Sequence, residues 1–183
     1  IIIITAFMAR FGVDVLAGYG IGSRLEFLLI PLIFGFGAAS TTLVGVHFGA
    51  NKIRRAHKVG WTAAFYSAGM CGLIGITVAI FPGIWANLFT DAENVRMACR
   101  AYLQIVGPFY AFFGLALCLY FASQGAGRVL WPVLAVLLRV IVVAVGCTLL
   151  SNELETPPEA FFALMATGMV CQAIVSGIAI RLG

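Results

Sequence analysis

Long apolar runs separated by short polar breaks constrain the fold of this chain more than any other feature. Six such runs stand at approximately 1–17, 23–48, 59–86, 96–122, 129–150 and 159–181. A helix needs roughly 20 apolar residues to cross a bilayer core of about 30 Å, and strand-like alternation of polar and apolar residues is missing from these runs. We therefore predict an all-α integral membrane protein built as a six-transmembrane-helix bundle.

Composition agrees with lipid as the main solvent of this chain. Soluble domains carry about a quarter of their residues as charged ones, whereas the charged fraction here is 10% and the mean hydropathy is +1.07. The five cysteines lie far apart without a CxxC pair, which is typical of packing residues. We see no nucleophile elbow, HExxH, phosphate loop or zinc spacing. We therefore expect no enzymatic activity, no metal and no nucleic-acid partner, and the lipid bilayer as a partner.

The charged residues divide between the polar breaks in a way that predicts an orientation. If successive breaks alternate sides, then 49–58, 123–128 and the C-terminus share one face. The charged residues of that face are all basic, namely Lys52, Arg54, Arg55, Lys58, Arg128 and Arg181. All seven acidic residues fall on the other face. Because Lys and Arg mark short cytoplasmic loops, we expect the basic face to be cytoplasmic in a bacterial plasma (inner) membrane.

Two charged residues are candidates for a cation-coupling or intramembrane role. Glu26 is the acid that could lie inside a span, where a carboxylate is a proton or cation site by default. Its place in "SRLE", after the glycine-rich "GYGIG" at 18–22 that we interpret as a tight hairpin, favours helix capping instead. Arg139 lies near the middle of the fifth run, where an arginine costs at least about 2.5 kcal/mol. Its partner could be a helix carbonyl, an anionic substrate or a carboxylate outside this chain, so a structural and a transport role stay equally open.

One face of the fourth span predicts the wall of a substrate cavity. Phe109, Phe113 and Tyr120 follow one another at spacings of four and seven residues, which places them on one helical face. Such rings either pack against neighbouring helices or hold a flat hydrophobic cation through cation–π contact. We take Phe113 and Tyr120 as candidate cavity residues, with Tyr110 and the hydroxyl of Thr41 as their neighbours.

Three stretches resemble the second half of multidrug and toxic compound extrusion (MATE) transporters. They read "LAGYGIGSRLEFLLIPLIFGFGAASTTLVGVHFGANKIRRAHK", "FTDAENV…AYLQIVGPFYAFFGL" and "FASQGAGRVLWPVLAVLLR". The resemblance covers nearly the whole chain and is most specific at "VGVHFGANKIRRA" and "SQGAGR". Since such transporters have twelve helices in two bundles, it implies that 1–183 is the C-terminal bundle, helices seven to twelve. The N-terminal six-helix bundle would then be a missing partner, as the start without Met also suggests.

The resemblance implies a secondary active antiporter that exports small hydrophobic or cationic substrates by alternating access. A proton or a sodium ion would be the coupling ion, with no other cofactor. Sodium-coupled relatives use acids on helices seven and ten, but 1–13 and the stretch between Cys99 and Gln124 contain none. We therefore expect proton coupling through an acid of the other half, with Glu26 as the local reserve. The alternatives are a lipid-linked sugar flippase of the same superfamily, for which only Arg139 offers a basic cavity residue, and a non-transporting membrane scaffold subunit.

Overall fold

The computed structural model describes residues 2–151 and 157–182, and every regular element in this part of the chain is helical. The α-helices are α1 Ile2–Met8, α2 Val13–Gly49, α3 Ile53–Ile80, α4 Pro82–Ala86, α5 Glu93–Val106, α6 Tyr110–Gly125, α7 Leu130–Ser151 and α8 Pro158–Leu182. Short 3-10 turns at Ala9–Phe11 and Gly107–Phe109 connect α1 to α2 and α5 to α6.

Five helical segments of the described residues are long and apolar enough to cross a membrane. They are Val13–Gly49, Ile53–Ile80, Glu93–Gly125, Leu130–Leu150 and Pro158–Arg181. The third segment combines α5 and α6, which continue through the 3-10 turn between them. The all-α membrane class predicted from the sequence is therefore confirmed, although the boundaries near the start of the chain differ from those predicted.

The predicted hairpin at 18–22 is wrong, because α2 runs without a break through these residues. The chain turns earlier, at Gly12, whose φ of 104° lies in the left-handed region that glycine adopts at little cost. The predicted first span, 1–17, is accordingly divided between α1, the first 3-10 turn and the beginning of α2.

The glycines of "GYGIG" serve helix packing rather than chain reversal. A Cβ atom on Gly18 would lie 2.6 Å from the Cβ of Ala98 on α5, and one on Gly22 would overlap the ring of Tyr102. Gly20, between them, faces open space. Small residues one turn apart let two membrane helices approach closely, so Gly18 and Gly22 bring α2 against α5.

Helix α6 lies in the middle of the bundle, and α7 lies at its edge. α6 packs against α2, α3 and α8, whereas α7 packs mainly against α8. The other faces of α7 carry exposed apolar side chains, including Leu130, Leu137, Ile141 and Leu149. In water such a surface would be costly, but it suits contact with lipid tails. A polar residue of α7 that faces the bundle is therefore a candidate functional residue.

Charged side chains collect at the two ends of the bundle; one end is basic, whereas the other holds acidic residues together with arginines, such as Glu93 paired with Arg96. At one end Arg128 lies over the ring of Phe48, 5.8 Å from its centroid. At the other end the side-chain amide of Asn94 donates to the carboxylate of Asp14 at 3.2 Å. We call the first the basic end, which comprises Lys52, Arg54, Arg55, Lys58, Arg128 and Arg181. Asp14, Asp91 and Glu93 lie at the second, the acidic end.

Candidate functional site

An ion pair inside the bundle joins the two charges that the sequence singled out. Nη2 of Arg139 on α7 lies 3.3 Å from Oε1 of Glu26 on α2, and the two side chains are only 20% and 12% exposed. Helix α2 begins at Val13, so Glu26 lies about 20 Å along it at 1.5 Å per residue. The capping role favoured for Glu26 is therefore wrong, and the hydroxyl of Ser23 instead donates within the helix to the carbonyl of Gly20 at 3.1 Å.

Three further side chains complete the surroundings of this pair. Nη1 of Arg139 donates to Oε1 of Gln172 on α8 at 3.2 Å, and its guanidinium carbon lies 5.7 Å from the ring centroid of Phe113 on α6. The second carboxylate oxygen of Glu26 accepts from the hydroxyl of Tyr102 on α5 at 3.4 Å. We call these five residues the charge network. It joins five helices, and it gives each buried charge the partners that a low-dielectric interior demands.

Aromatic packing holds Tyr102 in position. Its ring makes edge contacts with Tyr19 and Phe162 at centroid distances of 5.6 and 5.2 Å. All three side chains are buried. Edge-to-face pairs of this kind add to the apolar burial, so the phenol that reaches Glu26 is fixed by the surrounding core.

Helix α8 accommodates Arg139 with two residues that lie one turn apart. Gln172 binds the guanidinium, and Gly168 leaves room for the aliphatic stem. A Cβ on Gly168 would lie 3.3 Å from Cγ of Arg139 and 3.0 Å from Cγ2 of Val143. Because residues at i and i+4 share a helix face, the spacing of this glycine and glutamine shapes α8 to receive the arginine.

Two of the predicted cavity residues lie at or beside the charge network. Phe113 is 8% exposed and lies beneath the guanidinium of Arg139. Tyr110 is fully buried at the start of α6, one turn before Phe113. The structure therefore brings together four of the residues named from the sequence, in one region of the bundle.

The other two predicted cavity residues lie nearer the basic end. The hydroxyl of Thr41 is within hydrogen-bonding distance of two carbonyl oxygens, those of Gly37 at 3.0 Å and Phe121 at 2.9 Å, so it connects α2 to α6. Tyr120 is half-buried, and its ring meets that of Phe121 edge-on at 6.0 Å. Both side chains contribute to contacts within this bundle, and substrate contact by either of them stays a prediction.

Sequence reasoning missed Gln172 and Tyr102 as members of the site. Gln172 is the one side-chain amide within the predicted span 159–181, and an isolated amide in an apolar run was the signal available. Tyr102 carried no such signal, because its role depends on the close approach of α5 to α2. Among the described residues no group of three or more His, Cys, Asp or Glu side chains is placed to hold a metal ion.

Comparison with known proteins relates both the sequence and the fold to transporters. Residues 1–149 match the MatE family model. Multidrug and toxin extrusion protein 2 of Mus musculus is 30% identical over 96 residues, which are 52% of this chain and 17% of that protein. The probable multidrug resistance protein NorM of Brucella suis is 26% identical over 110 residues, 54% of this chain and 23% of that protein.

The same architecture occurs in a solved transporter structure. The crystal structure of the Vibrio cholerae MATE transporter VcmN in the bent form superposes with a TM-score of 0.84 at 19% identity. The superposition covers 97% of this chain but 40% of that one. This chain therefore spans less than half the length of the proteins to which it is similar.

Proposed function

This chain belongs to the MatE family of membrane transporters, and we propose that it acts within a secondary antiporter that exports small hydrophobic or cationic compounds. The exchange uses alternating access between two six-helix bundles, of which this chain supplies the C-terminal one. A proton gradient drives it, with sodium as the less favoured coupling ion. The transporter lies in a bacterial plasma membrane, and its basic end faces the cytoplasm.

The charge network is the observation that carries this proposal. Placing an arginine and a glutamate inside a membrane bundle is expensive, and such residues usually mark ion or substrate pathways. A scaffold subunit would be packed at least as well by apolar side chains of similar volume, because a buried ion pair adds little net stability. The pair between Glu26 and Arg139 therefore favours transport over a purely structural role.

Protonation of Glu26 would change the balance of forces between the helices. A neutral Glu26 no longer attracts Arg139 strongly, which leaves the guanidinium with the Gln172 amide oxygen and the Phe113 ring. Since α7 packs mainly against α8, this change weakens a tie between the α7–α8 pair and α2. A proton can drive transport only if it binds one conformation better than the other, and a carboxylate with a movable counter-charge meets that requirement. A second protonatable acid would lie in the N-terminal bundle.

The pairing also argues against export of a lipid-linked sugar pyrophosphate. A pyrophosphate needs several basic groups that are free to bind it. Arg139 was the one candidate in this chain, and its charge is already balanced by Glu26 at 3.3 Å.

Efflux from cells that express the complete transporter tests the proposed function. Cells are loaded with ethidium, a fluorescent cation, and efflux is followed while the proton gradient and the sodium gradient are removed separately. We expect efflux to stop with a proton uncoupler and to continue without sodium. Sodium-dependent efflux would contradict the proposed coupling ion, and the absence of any efflux of hydrophobic cations would contradict the proposed substrate class.

A further inference from the structure

We propose that the guanidinium of Arg139 occupies a binding site for organic cations, and that a cationic substrate must displace it to bind. We call this site the cation box; it consists of the Glu26 carboxylate, the Gln172 amide oxygen and the Phe113 ring. The inference rests on the proposed function and deepens it, since it assigns the export of cations to particular side chains. Arg139 acts here as an internal competitor tethered to α7.

The chemistry of the cation box is that of a receptor for ammonium or guanidinium groups. A carboxylate and an amide oxygen accept hydrogen bonds from such cations, and the face of an aromatic ring attracts them through its quadrupole. All three groups contact the same guanidinium, at 3.3 Å, 3.2 Å and 5.7 Å. They come from α2, α8 and α6, so the box exists independently of the helix that carries its present occupant.

The geometry of the occupant indicates that it can leave. A tightly held arginine forms two parallel bonds of about 2.7–2.9 Å with one carboxylate. Arg139 instead divides its nitrogens between Glu26 at 3.3 Å and Gln172 at 3.2 Å. The partial exposure of both charged side chains shows that the box is not sealed within the bundle. Because α7 packs mainly against α8, withdrawal of its arginine leaves the α2 and α6 parts of the box in place.

Within residues 2–151 and 157–182, the other arginines lack this arrangement, and one of them provides a control. Arg128 also lies over an aromatic ring, that of Phe48 at 5.8 Å. No carboxylate of the described residues forms an ion pair with Arg128, which lies at the basic end and is exposed. Replacing Arg128 therefore removes the same charge and a similar cation–π contact without vacating a cation box.

Competition makes a quantitative prediction for affinity. When a binding site is free for only a fraction of the time, the apparent affinity of its ligand falls by that fraction. If Arg139 fills the box about 90% of the time, its removal strengthens cation binding about tenfold. A neutral compound gains nothing from an emptied carboxylate site, so the effect is specific to cations.

Ethidium binding to the purified complete transporter in detergent tests this inference. We expect Arg139→Gln to tighten ethidium binding at least about tenfold, and Arg128→Gln to leave it unchanged. The double variant Glu26→Gln with Arg139→Gln should lose the gain, since the carboxylate is gone. Nile red, a neutral probe, should bind wild type and Arg139→Gln equally.

Arg139→Lys provides a second and independent test if Arg139→Gln fails to fold. A lysine ammonium is a compact charge that cannot span two acceptors as a planar guanidinium does, so it should compete less well and give an intermediate affinity. Ethidium affinity equal to or weaker than wild type in either variant would overturn the inference, as would an equal gain for Nile red. If the wild-type transporter exports ethidium normally but Arg139→Gln shows no gain in affinity, this inference is overturned and the proposed function is not. A gain in binding without wild-type efflux supports the box and overturns the proposed function.

Discussion

Removing both partners of the Glu26–Arg139 pair should destabilise the protein much less than the sum of the two single removals. At 3.3 Å two unit charges attract by about 5 kcal/mol at an effective dielectric constant of about 20. Both side chains are well under a third exposed, so solvent screens little of this attraction. Desolvation of the charges offsets part of it. A coupling free energy of about 2–3 kcal/mol is therefore expected between the two residues.

The two single variants should differ from each other for a chemical reason. Glu26→Gln leaves an arginine that stays charged, and it should lower the free energy of unfolding by about 3 kcal/mol. Arg139→Gln leaves a carboxylate that can take up a proton, so its cost should be smaller, about 2 kcal/mol. The double variant should lose about 2–3 kcal/mol, much less than the sum of the single costs.

Reversible unfolding in mixed micelles of SDS and a mild detergent measures these free energies. The four proteins of the cycle are compared at neutral pH. A double-variant cost equal to the sum of the two single-variant costs would mean that the two side chains do not interact in the folded protein. Such a result would refute the charge network as described.

Three further predictions follow from helix contacts and charge distribution. Gly22→Ala should destabilise the protein by about 1–3 kcal/mol, since its Cβ would overlap the Tyr102 ring; Gly20→Ala, which faces open space, should be neutral or stabilising by up to about 1 kcal/mol in the same unfolding assay. Gly168→Ala should cost about 1 kcal/mol or more and slow ethidium efflux, because it crowds the stem of the intramembrane arginine; wild-type efflux would contradict this. A cysteine at Asn51, in protein lacking the native cysteines, should react with an impermeant thiol reagent in inside-out vesicles but not in intact cells. Labelling in intact cells would contradict the predicted orientation.

The class of fold and the family could be predicted from the sequence because both depend on local signals. Span-length apolar runs indicate membrane helices whatever surrounds them, and the basic run at 49–58 contrasts in sign with the acidic breaks. The motif "VGVHFGANKIRRA" covers the end of α2, the following turn and the first turn of α3, so it can be recognised without knowledge of the packing.

The charge network could not be predicted because it depends on which helices meet. The glycine-rich stretch around Gly18 and Gly22 is as typical of a turn as of a close helix contact. Only the contacts of these two glycines with α5 show that they serve helix packing. Interpreting these residues as a hairpin places Glu26 near a helix end, and therefore at a different membrane depth from Arg139. The two residues are 113 positions apart, and no local pattern records such a pairing. The isolated Gln172 was the one remaining local indication.

Efflux by a carboxylate variant tests most directly the claim that the intramembrane charge network serves transport. Ethidium efflux driven by a proton gradient is compared for wild type, Glu26→Gln and Glu159→Gln. The amount of each protein in the membrane is measured so that rates can be given per molecule. Glu159 lies exposed in the first turn of α8, so its variant removes an equal charge outside the network. We predict that Glu26→Gln lowers the efflux rate per molecule at least about tenfold, equivalent to about 1.4 kcal/mol, while Glu159→Gln keeps the wild-type rate. Wild-type efflux by Glu26→Gln would show that the network is structural and has no role in transport.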